Sequence, residues 1–280
     1  MKKYFTLTMA LLLLGSCNRD GDMDTSTQDG YGSVSFVSSV DNSIDVITRS
    51  ESGVNLPGSV TLPTTADFSL KITGDYTDSE SDSGVTSGSY NLSYGSIDDC
   101  NASSLTLLET VDGNTYTASV SSGTSTAEGE NLPCFAGEVY FSVVARETNT
   151  IAVTTVLTNS LFQFSTSEWF DNYYTDAEFT ITTSRGNSFS FGRGEDERLI
   201  FVEAGTTLTL EGSATKSNGY DVVFASNVIG VTSARELSSI IVDASQAGGV
   251  SISVQFNTEF TELDENKVDY ELNVDAPDKE

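Results

Sequence analysis

The stretch EVYFSVVARETNTIAVTTVL, residues 138–157, decides the fold. Two runs rich in β-branched and aromatic residues, EVYFSVVA (138–145) and TIAVTTVL (150–157), flank the charged and polar RETNT (146–150). Short apolar runs bounded by polar breaks read as strands. The pattern repeats outward in both directions. SVSFVSSV (33–40), FSLKITG (68–74) and YTASVSSG (116–123) precede it; EFTITTS (178–184), TLTLEGSAT (207–215), YDVVFASNVIGV (220–231) and GVSISVQFN (249–257) follow. Only four prolines occur, and Pro57 and Pro63 lie near strand ends, where a missing N–H costs no ladder bond. The expected fold is all-β: two tandem antiparallel β-sandwich domains with one or two short helices. RETNT marks the break, giving domains 31–148 and 149–280.

Helix is scarce. Ser167 is placed to cap EWFDNYY, predicting a helix over 167–174, and Ser233 precedes ARELSSIIV, whose apolar spacing predicts another over 233–242. TDSESDSGVTSG (77–88) reads as a long hairpin loop, and residues 121–129 as a second.

With 280 residues, 38% of them apolar, the chain can bury a substantial core. Its formal net charge of −28 repels phosphate backbones, so nucleic acid is excluded as a partner. The chain has no histidine, which removes the commonest general base and metal ligand.

Lys2 and Lys3 followed by the apolar Tyr4–Leu14 read as an export signal. Leu14-Gly15-Ser16-Cys17 resembles the lipobox of bacterial lipoproteins. In that motif the cysteine thiol takes a diacylglyceryl group as a thioether and becomes the first residue after cleavage. Each buried CH₂ of the acyl chains contributes about 0.8 kcal/mol to membrane anchoring. Residues 1–16 are thus expected to be a lipoprotein signal peptide, Cys17 the lipidated anchor and 17–30 an acidic tether. The expected location is the outer membrane, on the cell surface. The acidic residues after Cys17 serve either as an export signal or as a plain spacer.

NLPCFAGEVYFSV (131–143), IAVTTVLTNSLFQFSTSEWFDNYYTDAEFTI (151–181), RLIFVEAGTTLTLEGSAT (198–215), TSARELSSIIVD (232–243) and GGVSISVQF (248–256) together resemble the bacterial lipoprotein family called domain of unknown function 4493. The arrangement is also similar to fimbrillin-like, two-sandwich surface proteins. That resemblance implies a pilus-subunit or adhesion role. It supplies no catalytic residue, and Cys134 stands where tyrosine is more usual.

With Cys17 lipidated, Cys100 and Cys134 form an even pair in an exported chain, and a disulfide between them is expected. Closing that loop would stabilise the fold by about 4 kcal/mol. Asp78, Glu80 and Asp82 ahead of Gly84 are similar to calcium loops, but the glycine is one place late and no distal Glu follows, so a solvated loop is expected. No metal and no cofactor are expected. Trp169, Phe170 and Tyr173, at i, i+1 and i+4, are expected to face the second core, with sugar stacking as the alternative. SFGRGEDERL (190–199) reads as a solvated turn. These features point to a non-enzymatic surface lipoprotein for adhesion or interaction, associated with a fimbria-like assembly, whose ligand is a surface protein or glycan. The alternative is a glycan-binding lipoprotein for nutrient capture. A third reading, a glycoside hydrolase using two carboxylates, finds no pair singled out by the sequence.

Overall fold

The computed structural model describes residues 30–46, 54–78, 86–110, 115–194, 196, 198–244, 252–256, 259–263 and 265–267. The chain begins with β1 (Tyr31–Asp41), β2 (Ser43–Val46) and β3 (Val54–Asn55), then the hairpin β4 (Ser69–Asp78) and β5 (Thr86–Tyr94). Helix α1 (Ile97–Ala102), β6 (Thr106–Leu108), β7 (Tyr116–Ser122), β8 (Gly129–Glu130), β9 (Phe135–Phe141) and β10 (Thr148–Leu157) complete the first half. Next come β11 (Ser160–Thr166), α2 (Glu168–Tyr173), β12 (Tyr174–Thr183), β13 (Ser188–Gly192) and β14 (Ile200–Val202). The last elements are β15 (Thr207–Lys216), β16 (Asp221–Val231), β17 (Glu236–Ala244), β18 (Ile252–Phe256), β19 (Glu259–Leu263) and β20 (Glu265–Lys267).

The strands form three sheets. The first runs β5-β4-β7-β9-β10-β1-β6 and the third β13-β12-β15-β16-β20. Between them in composition is a sheet ordered β19-β18-β17-β11-β14-β8, with β2 paired to β17 and β3 to β2. Most ladders are antiparallel, as expected. The pairs β1–β10, β11–β17 and β17–β2 are parallel, a direction that period-two alternation cannot reveal.

Two cores result. Phe36, Leu70, Ile72, Tyr116 and Phe135 gather with Leu161 and Phe201 in the first; Phe162, Phe164, Val202 and Ile240 gather with Phe179 and Phe224 in the second. Successive side chains of a strand point to opposite faces, so Leu161 and Phe162 enter different cores, as do Phe201 and Val202. The middle sheet is therefore buried on both faces at β11 and β14, which accounts for their continuous apolar runs LF and IFV. The sandwich is two cores around one shared sheet. The expected boundary at 148–149 falls at the start of β10, which pairs with β1 and β9 inside the first sheet.

The passage from β10 to β11 is held by Asn159, which is fully buried. Its side-chain oxygen accepts the Cys134 N–H at 3.1 Å, and its Nδ2 donates to the Leu132 carbonyl at 2.8 Å. Its own carbonyl accepts the Arg235 N–H at 3.0 Å. The Arg235 guanidinium reaches back to Asp41 at 3.0 Å and to the Ser43 hydroxyl at 2.6 Å. Glu128, from the 121–129 loop, accepts from Thr183 Oγ1 at 2.6 Å and Asn187 Nδ2 at 2.7 Å.

Helix α2 forms where expected, with the Ser167 hydroxyl accepting the Phe170 N–H. The helix expected over 233–242 is instead β17. Its burial alternates strictly from Glu236 to Ala244, and it sits between β11 on one side and β18 and β2 on the other. Ile240, Ile241 and Val242 favour that extended setting. Helix α1 was not expected; Ser96 caps it by accepting the Asp99 N–H at 2.9 Å. From α1, Asn101 accepts the Phe36 N–H and donates to the Phe36 carbonyl, both at 2.9 Å, so its amide substitutes for a neighbouring strand along β1.

The expected Cys100–Cys134 disulfide is absent: both are free, buried thiols. Cys100 sits on the buried face of α1 in the first core, where burial pushes its thiol pKa up to about 11, partly offset by a hydrogen bond with Tyr94. Cys134 is fixed at the start of β9, with its N–H on Asn159 and its carbonyl accepting the Thr158 N–H at 2.8 Å. Each cysteine is held by its own set of neighbours.

Candidate functional site

The alternation that buries one face of β4, β5, β7 and β9 leaves the other face outward, and the register sorts those outward residues into rows. Ser93, Lys71, Ser119 and Glu138 align in one row, since Lys71 pairs with Ser93 and Ser119, and Ser119 with Glu138. The next row is Ser69, Ser121 and Ala136; on the other side lie Asn91, Thr73, Thr117 and Tyr140. Because the Ser69–Ser121–Ala136 row carries the smallest side chains, a groove of about 730 Å³ opens across the strands, walled by Lys71 and Glu138.

The wall is fixed in place. Ser119 Oγ donates to Glu138 Oε2 at 2.9 Å, while the Ser69 and Ser121 hydroxyls bond each other at 3.0 Å. The Tyr140 hydroxyl also hydrogen-bonds Glu138; that bond, and then the carboxylate's charge, raise the phenol pKa above its ordinary value. Tyr140 is 68% exposed, so its ring is free to meet a ligand. An ammonium donor, an oriented carboxylate acceptor and hydroxyls thus line one groove, with the exposed Tyr140 ring one row beyond Glu138, a composition suited to a binding site. The reading of the sequence missed this site, because its residues come from four strands and only the register brings them together.

The aromatic cluster on α2 divides. Phe170 and Tyr174 are buried and stack at 4.5 Å, with Phe179 5.6 Å from Phe170. Trp169 and Tyr173, expected in the core, are instead 52% and 39% exposed. Phe170 packs inward on Tyr174 and Phe179, and Trp169 and Tyr173, at i and i+4, share the outer face. Arg193, expected in a solvated turn, steadies the helix end by donating to the carbonyls of Tyr174 at 2.5 Å and Asp171 at 3.3 Å. Arg198 is likewise engaged: it pairs with Asp196 at 2.7 Å, donates to the Ser190 carbonyl and lies 4.8 Å over the Phe191 ring.

A second groove, about 470 Å³, lies on the third sheet between Asp176, Glu178 and Asp221 and carries no basic side chain. Among the described residues no three His, Cys, Asp or Glu gather to hold a metal ion. Cys17, Glu80 and Asp82 lie outside the described residues, as does the burial of Asp78, so the lipidation site and the candidate calcium loop have no geometry to report.

No curated protein matches the chain. Among solved structures it is similar to a candidate cell adhesion protein of Bacteroides ovatus, 6% identical over 83% of this chain and 98% of that one, with a TM-score of 0.37. It is also similar to a fimbrial assembly protein of Parabacteroides distasonis, 7% identical over 84% and 99%, TM-score 0.37. A third likeness is to candidate polysaccharide binding proteins of Bacteroides thetaiotaomicron, 10% identical over 85% and 99%, TM-score 0.32. At these scores the likenesses carry no weight for this chain's role. The match that does carry weight is a sequence one: the family described as domain of unknown function (DUF4493) matches residues 30–274, almost the whole described fold, and the chain belongs to that family.

Proposed function

We propose that the protein is a non-enzymatic binding module of the adhesion type, exported and held at the outer membrane by lipid on Cys17, with the fold displayed at the cell surface. The observation that carries this reading is the groove on the first sheet, where a fixed carboxylate, an ammonium and hydroxyls line one face and the exposed Tyr140 ring stands one row beyond. Such an arrangement serves recognition. The lipobox LGSC (14–17) supports the anchor, and the acidic chain after it supports a solvated tether. A chain without histidine lacks the commonest base for nucleophile activation, which supports binding without turnover. Capture of a glycan for nutrition is the second reading, favoured by the exposed pair Trp169 and Tyr173.

The test is made on cells. Cys17→Ser should abolish labelling by a radioactive fatty acid, remove the protein from protease attack on washed cells, and lower attachment of the cells to a host or microbial surface. Equal labelling and equal attachment in wild type and variant would refute the proposal.

A further inference from the structure

We infer that the groove on the first sheet, walled by Lys71 and Glu138, binds a neutral polysaccharide chain laid across the strands. This rests on the binding-module reading above and names its ligand class. Charge comes first. In a chain with 41 acidic against 13 basic side chains, the groove holds one ammonium and one carboxylate, which cancel. An anionic polymer meets only Lys71 there and is repelled by the rest of the protein. A neutral polyol, by contrast, finds a donor in Lys71 and an acceptor in Glu138, groups that together can hold adjacent hydroxyls of one sugar.

The backbone narrows the choice further. A peptide would gain most by adding as a strand to an open edge. Here β4 and β7 are paired on both sides, and the open edge of the sheet, β5, lies at one end of the groove, so a chain laid across the strands meets side chains and does not run along a free ladder. It crosses β5, β4, β7 and β9, a span of roughly 14 Å at about 4.8 Å between strands, which suits several linked residues rather than one. Its floor carries the small side chains of Ser69, Ser121 and Ala136. Tyr140 sits one row away, where its ring can cover the apolar face of a sugar while its hydroxyl stays on Glu138. Bound hydroxyls on Ser119 and Tyr140 keep the carboxylate oriented before any ligand arrives, which lowers the ordering cost of binding.

The test uses the full-length protein purified from membranes in detergent, with affinity gel electrophoresis against mannan, xylan and a mixed-linkage β-glucan, and polygalacturonate as the anionic control. At least one neutral polymer should retard the protein, and polygalacturonate should not. Tyr140→Ala and Lys71→Met should each weaken that retardation by tenfold or more while the melting temperature stays within a degree or two. Ser121→Gln, which fills the floor without adding charge, should do the same. Retardation by polygalacturonate alone, or neutral binding unchanged in all three variants, overturns the inference. Neutral binding lost on Trp169→Ala but kept in the groove variants also overturns it, by moving the site to α2. Cell attachment that persists when no neutral polymer binds overturns the ligand class while leaving the binding-module reading intact.

Discussion

Asn159→Ala tests the junction between the two cores. The side chain is fully buried and satisfies two backbone groups, the Cys134 N–H and the Leu132 carbonyl. Alanine strands the buried Cys134 N–H, at a cost of about 2 kcal/mol, while the carbonyl of the 41% exposed Leu132 can turn to water, so the variant should lose about 2 kcal/mol of stability. Asn159→Asp separates the two bonds. Its carboxylate can still accept the Cys134 N–H, yet it faces the Leu132 oxygen in a buried place, so its folded pKa must lie above the unfolded value. The sign follows: both states are protonated below the unfolded pKa, and the variant loses stability as pH rises through and beyond it. The Asn159→Asp protein should therefore match the wild type more closely near pH 3 than near pH 7. Urea unfolding followed by circular dichroism gives both numbers. An Asn159→Ala loss below about 1 kcal/mol, or an Asn159→Asp deficit independent of pH, would refute the idea that this amide closes the junction.

Phe170→Ala should cost about 3–5 kcal/mol because it empties a ring-lined site in the second core, whereas the exposed Trp169→Ala should cost under about 1 kcal/mol. Equal losses would return Trp169 to the core. Reducing agent should leave the melting temperature unchanged, and both Cys100 and Cys134 should alkylate in denaturant without prior reduction; thiols blocked in denaturant would indicate a bridge. The carboxyls of Asp67, held by the Thr64 N–H and hydroxyl, of Asp41, held by Ser43 and then Arg235, and of Asp196, held by Arg198, lie below their ordinary value of 3.8. Their contribution is complete above that value and is lost as pH falls through the folded pKa values, so unfolding midpoints should drop between about pH 4 and about pH 2. Asp67→Asn should make that drop shallower.

Strands were legible because half-buried β-structure writes its period into side-chain choice, and the Ser167 cap was legible because its chemistry is local. What failed was the inference from local spacing to surroundings. Leu237, Ile240 and Ile241 satisfy helical spacing at i, i+3 and i+4, yet β17 is an inner strand with one face buried and the other partly buried, so apolar residues occupy both faces and the sequence loses the apolar/polar alternation that would separate it from a helix. Trp169 was misplaced because spacing sets which residues share a face of α2 but not which face turns inward; the packing of Phe170 on Tyr174 and Phe179 decides that. The groove was invisible because Lys71, Ser121 and Glu138 each read as ordinary outward residues of separate strands. Register, set by pairings up to tens of residues apart, assembles them.

Strand β1 runs parallel to β10 with Cα partners from Ser33–Thr148 through Asp41–Val156, and the segment leading to Cys17 leaves from its Tyr31 end. A pull on Tyr31 directed along the axis of β1 loads the ladder bonds to β10 side by side in shear, so that they fail nearly together. Loading of this kind resists rupture far better than peeling bonds singly from a hairpin end. Resistance to forced unfolding is set by the unfolding rate rather than by equilibrium stability. If lipid on Cys17 holds the protein as proposed, drag along β1 would load the β1–β10 ladder in shear.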